Sequence, residues 1–154
     1  MRRDINIIMK ISIIVPVYNA EKTIEYCIDS IITQKTKFEI ELILVEDYST
    51  DRSYEICLAL KKKYTEIKLY RTNGKGVSAA RNTGLSHSTG DVVGFCDSDD
   101  IYEKDVFEKV RLFFENKDID IVIGGFYYSK KDSLNTVVQE THSHNRQRNV
   151  EGHL

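Results

Sequence analysis

Residues 11–17 read ISIIVPV, and the fold turns on how that run is interpreted. Five of its seven residues are β-branched, and the one small polar residue, Ser12, does not set up an in–out alternation. A strand with one wet face alternates apolar and polar side chains, whereas a strand covered on both faces is apolar almost throughout. The run therefore predicts a central, doubly covered strand. Pro16, the single proline of the chain, falls near its end.

Outward from this strand the pattern changes period. Asn19 offers a helix cap, and Ile24, Cys27, Ile28, Ile31 and Ile32 recur at the spacing of one helical face. EIELILVED, residues 39–47, reads as a second buried strand. Ser49 or Thr50 can cap the next helix, with Asp51 near its positive end and Ile56, Cys57, Leu60 and Tyr64 turned inward. IKLY, residues 67–70, alternates like a short edge strand. After the loop RTNGKG, VSAARNTGLSHS predicts a third helix ending near Gly90. VVGFC, residues 92–96, is the next strand, and Asp100 with Glu103 has the spacing of a capping box for a helix carrying Val106, Val110 and Phe113. IDIVIGG, residues 119–125, predicts a fifth strand. Strands alternating with helices over short links indicate an α/β domain, with a mostly parallel sheet, right-handed crossovers and helices on both faces.

Composition narrows the setting. The chain has 154 residues, 41% hydrophobic and 30% charged, with a formal net charge of -2, so no bulk field draws it to nucleic acid. No segment reaches the ~20 apolar residues of a membrane span. The start, MRRDINIIMK, is broken by Asp4, Asn6 and Lys10 and is too short in its apolar part for a signal peptide. A soluble, cytoplasmic domain is expected, and work beside the inner face of a membrane is compatible with it. Cys27, Cys57 and Cys96 are odd in number and lack metal spacing, which points to reduced, buried packing residues. Residues 1–10 read as an N-terminal extension, 11–128 as the domain, and 129–154 as a polar tail in which His142 and His144 are solvated.

Three polar motifs fall at strand ends, where parallel α/β sheets bind ligands. In DSDD, residues 97–100, alternation sends Asp97 and Asp99 to one side, a good pair of ligands for Mg2+ or Mn2+; a plain polar turn is the alternative. Asp100 goes to the helix cap. In EDYS, residues 46–49, Glu46 or Asp47 can accept a hydrogen bond from the imide N–H of uracil or thymine, or simply end a solvated turn. GKGVSAARN supplies close-approach glycines, Gly74 and Gly76, and the cations Lys75 and Arg81 for phosphate or base oxygens; on a helix, Arg81 can equally be a surface charge. Tyr18 can cover a flat base or pack in the ordinary way.

Taken together, ISIIVPVYN, LILVEDYSTD, GVSAARNTGL and FCDSDD, in that order between about Ile11 and Tyr128, resemble the nucleotide-binding half of a family 2 glycosyltransferase of GT-A fold. The resemblance implies a Rossmann-like GT-A domain that uses a nucleoside diphosphate sugar, often UDP-linked, and transfers the sugar with inversion. The acceptor would be a glycan or lipid-linked hydroxyl in cell-surface polysaccharide or glycolipid synthesis. Pro16, Val17 and Tyr18 would line the nucleoside pocket, Asp47 would accept from the base, and Arg81 would help hold the nucleotide. Asp97 would sit near ribose and metal, and Asp99 would ligate the Mn2+ or Mg2+ that bridges the diphosphate.

Two departures qualify the resemblance. The expected catalytic base lies in an acceptor-binding half well beyond the fifth strand, where this chain has only residues 129–154, a polar tail or the start of that missing half, with Asp132, Glu140 and Glu151, so no base is assigned and a truncated, binding-only domain is expected. Sheet left bare by a missing half can drive self-association. In EDYS, Tyr48 stands where the family often has glycine; if that position needs positive φ, Tyr48 is strained or the turn differs. A nucleotidyltransferase would favour a Gly-rich phosphate loop after strand one, where PVYNAEK stands. A receiver-like signalling domain would want an Asp after strand three, where Arg71 stands.

Overall fold

Three parallel pairings join four strands in the order β3-β2-β1-β4, where β1 is Lys10–Val17, β2 Glu39–Glu46, β3 Ile67–Arg71 and β4 Val92–Phe95. The structure is a computed structural model that describes residues 9–114 and 120–122. The chain divides into two units, Met1–Glu115 and Asn116–Leu154. All the regular elements described lie in the first. Residues 120–122 of the second are in no helix or strand; the rest of the expected fifth strand and the polar tail fall outside the described residues.

The apolar run at 11–17 is buried along its whole length, as a central strand requires. In register with it, Leu42, Ile43, Leu44 and Val45 of β2 are fully buried. Alternation within these strands feeds two cores. Ile11, Ile13, Val15, Val17, Leu42 and Leu44 pack on one face with Ile24, Cys27, Ile28 and Ile31 of α1 (Ile24–Ile32) and with Cys57 and Leu60 of α2 (Ser53–Lys63). Ile14, Ile43 and Val45 pack on the other with Ala80 of α3 (Val77–His87). Each fully buried aliphatic chain contributes about 1.5–3 kcal/mol before entropy is counted. α3 sits especially close, since a Cβ at Gly84 would come within 2.3 Å of Ile14 Cγ2. β3 is an edge strand, as IKLY suggests.

The helix starts differ from expectation. α1 is capped at Thr23 and α2 at Arg52, neither with a side-chain cap bond, so Asn19, Ser49 and Thr50 do not serve that role. They tie two loops together instead: Asn19 N donates to Ser49 Oγ at 3.1 Å, and Thr50 N to Asn19 Oδ1 at 2.8 Å. α4 runs Val106–Phe114, so Asp100 and Glu103 precede it by too much to form its capping box. Its buried residue is Phe107, with Val106 and Val110 half-buried against the core, whereas Phe113 faces outward. All three cysteines are free and buried, and Cys27 Sγ lies 3.7 Å from Cys96 Sγ. Burial, with the carboxylates of Glu46 and Asp51 beyond it, pushes the Cys57 thiol up to about 12, which suits a packing residue.

Candidate functional site

Because the strands run one way, their carboxyl ends share an edge, and the winding reverses at β1, between β2 and β4. A crevice forms at such a point. A cavity of about 700 Å3 opens there. Pro16, Val17 and Tyr18 reach it from the end of β1, and Asp47 and Tyr48 from the turn after β2. Lys75, Gly76 and Arg81 come from the start of α3, and Asp97, Ser98 and Asp99 from the turn after β4. Pro16, Val17, Tyr18, Asp47, Arg81, Asp97 and Asp99, the residues the resemblance assigns to donor or metal, all line this cavity, whereas Gly74 and Glu46 do not.

Each is placed by a specific local cause. Val17 is fully buried and offers its carbonyl, which accepts from Asp47 N at 2.9 Å and so continues the sheet one residue past β2. Tyr18 is 59% exposed, so it is not a core-packing residue. Asp47 Oδ2 accepts from Gly76 N at 2.7 Å, where Gly76 takes φ 87° and opens α3. That bond fixes the glycine loop against the turn after β2. Among the described residues, Asp47 Oδ1 takes no hydrogen bond, so one oxygen remains for a ligand. Glu46, the other acid of the pair, has no such freedom. Its side chain is fully buried, accepts from Ser49 N, and forms an ion pair with Arg71 Nε at 3.3 Å without hydrogen-bond geometry.

Tyr48 takes φ 54°. For a bulky residue this is an outlier, and such strain costs about 1–3 kcal/mol. The expected conflict at the glycine position is therefore real. Arg71 braces the ring, its guanidinium lying 5.3 Å from the Tyr48 centroid and 4.1 Å from that of Tyr54.

Arg81 reaches the cavity from α3 and donates from Nη2 to Asp97 Oδ1 at 2.6 Å. Among the described residues its Nε is enclosed by the protein and has no partner. The acidic stretch is not extended, contrary to the alternation expected for it: Asp100 N donates to Asp97 O at 3.0 Å, closing a turn. The turn, not strand alternation, brings Asp97 and Asp99 to the same cavity, and it brings Ser98 as well. Burial, then the charges of Asp99 and Asp97, raise the Asp100 carboxyl above its ordinary value. Among the described residues the Asp99 side chain makes no hydrogen bond or ion pair.

These donors fit a hard divalent cation in part. Two exposed carboxylates share a wall, one of them unpartnered, and repulsion among three acids leaves a deficit of positive charge. No three metal-ligating side chains cluster among the described residues, so most of such an ion's shell would come from diphosphate and water. The sequence missed two features. Tyr48 lines the cavity although it was notable only as a misfit, and the bond from Gly76 to Asp47 spans 29 residues, which no local spacing reveals.

Architecture and cleft together define a GT-A type of α/β domain, with its polar site at the carboxyl edge of a parallel sheet. The chain belongs to the family described as "Glycosyl transferase family 2", whose sequence model matches residues 12–153. It is 44% identical over 118 residues to the glycosyltransferase GlyA of Streptococcus pneumoniae, covering 77% of this chain and 17% of GlyA. It resembles S. aureus TarS 1–349, solved in complex with UDP, with TM-score 0.63 and 34% identity over 70% of this chain and 32% of that one. It also resembles the mannosyltransferase PcManGT of Pyrobaculum calidifontis, solved with GDP-Man and Mn2+, with TM-score 0.60 and 27% identity over 68% and 32% of the respective chains. The chain spans 17–41% of the length of the first curated relatives it matches.

Proposed function

We propose that this chain binds a nucleoside diphosphate sugar, UDP-linked, and forms the donor half of an inverting glycosyltransferase. Convergence carries the proposal: Asp47, Arg81, Asp97 and Asp99 come from three separate segments onto one cavity at the carboxyl edge. In this reading the free oxygen of Asp47 accepts from the imide N–H of the base, and Tyr18 covers the base face. A base lacking that N–H would leave the acceptor unpaired at a cost of about 1–3 kcal/mol. Arg81 brings its guanidinium charge to the nucleotide while holding Asp97 in place, and Lys75 adds positive charge beside it. Pro16 and Val17 form the floor.

Mn2+ or Mg2+ would be held by Asp99 and Asp97, where it would neutralise charge on a diphosphate leaving group. Inversion further requires a base that takes the proton of the acceptor hydroxyl. Asp132, Glu140 and Glu151 lie outside the described residues, and none of the described acids is assigned that task. The acceptor belongs to the class the resemblance implies, a glycan or lipid-linked hydroxyl of a cell-surface polymer. Among the described residues no helix is long and apolar enough to cross a membrane. Action in the cytoplasm, at the inner membrane face, is part of the same reading.

Calorimetry on the whole chain tests it. UDP is expected to bind at micromolar to millimolar Kd with Mn2+ present, and at least tenfold more weakly in EDTA or with Asp99→Ala, whose melting temperature should stay within a degree or two of the parent. Equal affinity in all three conditions contradicts the metal assignment. No UDP binding in any of them defeats the donor reading.

A further inference from the structure

Tyr48 poses a question that neither the fold nor the roles given above answers. A glycine at φ 54° would be unstrained, and a bulky residue there is held against its preference. The ring does not compensate by entering the core, since Tyr48 is 56% exposed. Strain persists where the surroundings enforce it, and the surroundings here are elaborate. Ser49 N is bound to the buried Glu46 carboxylate, Glu46 pairs with Arg71, and Arg71 lies over Tyr48 and Tyr54.

The partner of the strained ring is legible in the hydrogen bonds on either side of it. Asp47 N donates to Val17 O at 2.9 Å, and Asn19 N donates to Ser49 Oγ at 3.1 Å. These two rungs join residue 17 to 47 and 19 to 49. Tyr18 and Tyr48 are the residues enclosed between them, at the same level of two tethered loops. Both line the cavity, with Asp47 next to them.

We propose that Tyr48 is a nucleobase-binding residue of this site: with Tyr18 it forms a two-ring aromatic platform for a nucleobase, beside the Asp47 carboxylate that reads the base edge. The proposal rests on the donor reading above and adds a recognition element that a glycine could not supply. Arg71, neutralised by Glu46, acts as a positioning residue that keeps the Tyr48 ring in place before the base arrives. Preorganisation of this kind lowers the ordering cost of binding, and base–aromatic stacking is strong enough for its loss to be measured.

The test compares UDP with inorganic diphosphate, each titrated calorimetrically with Mn2+ into wild type, Tyr48→Gly and Tyr48→Phe. Glycine suits the backbone, so Tyr48→Gly should fold and melt at or above the wild-type temperature. Its UDP affinity should fall about tenfold while diphosphate affinity is unchanged, and Tyr48→Phe should recover most of the loss. If Tyr48→Gly binds UDP as wild type does, the platform is refuted and the donor reading stands. Equal loss for UDP and diphosphate also refutes it, because Tyr48 would then be shaping the loop rather than meeting a base. Failure of wild type itself to bind UDP would overturn the donor reading instead.

Discussion

Carboxylates sit at both ends of this sheet and live under opposite conditions. Glu41, in the amino half of β2, is 3% exposed and surrounded by donors. Ser12 Oγ and Lys68 Nζ donate to it, as do Thr89 N and Thr89 Oγ1, both at 2.8 Å, and Lys10 Nζ lies 3.5 Å away. Asp97 and Asp99, at the carboxyl edge, are exposed and, among the described residues, share one protein cation between them, Arg81 on Asp97. An acid whose lone pairs are filled by the protein serves the fold. One left unfilled on a cavity wall is available to a ligand, and the neighbouring acids make that availability costly until the ligand comes.

The largest expected effect lies at the satisfied end. Glu41→Gln removes the charge opposite Lys68 and puts an amide N–H2 where donors converge, which should cost about 3 kcal/mol, read from urea unfolding. Burial alone would raise the Glu41 pKa, but hydrogen bonds from Lys68, Ser12 and Thr89 outweigh it and hold the carboxyl well below its usual range. The sign follows from that depression: the folded state favours the ionised acid, so the stabilisation is complete above the unfolded value of about 4.3 and fades as pH falls through the folded one. The gap between wild type and variant should therefore be wide at pH 6 and narrow by pH 2. A constant gap would mean that packing, not charge, is what Glu41 supplies.

Next in size is a change that links the two ends. Gly84 lets α3 lie against Ile14, and α3 also carries Arg81 to the cavity. Gly84→Ala should cost about 1–3 kcal/mol through overpacking and weaken UDP binding severalfold as Arg81 moves outward. Loss of stability with unchanged binding would show that the helix tilts about its first turn and leaves Arg81 in place.

How much of this could be read in advance follows from the range of each interaction. β-branched runs report burial residue by residue, so β1 and β2 were legible, and so was β3 as an edge strand. The helix caps were not. Asn19, Ser49 and Thr50 have the right chemistry for capping, yet the structure uses them across a loop pair some 30 residues apart in sequence. Glu41 gave no signal at all, because its donors lie 27, 29 and 48 residues away. At the candidate site the residues named from the sequence line one cavity, but the reason given for their convergence was wrong: the acids meet through a turn rather than through strand alternation. Between Glu46 and Asp47 the sequence left the choice open. Burial separates the two: Glu46 is enclosed with Arg71 while Asp47 faces the cavity.

The smallest effect should have the opposite sign to the first. Asp100 is exposed, and burial of part of its carboxyl, together with Asp99 and Asp97, makes its ionised form less favourable in the folded chain than in the unfolded one. Neutralising it removes a penalty where neutralising Glu41 removes a benefit. Solvent screens an exposed group, so Asp100→Asn should raise stability at pH 7 by only about 0.2–0.5 kcal/mol, seen as a small rise in the urea midpoint. In 1 M NaCl, where the screening length is about 3 Å, most of that gain should vanish. A gain that survives high salt would assign the penalty to burial rather than to the neighbouring acids, and the carboxyl edge would then hold no stored repulsion for a cation to relieve.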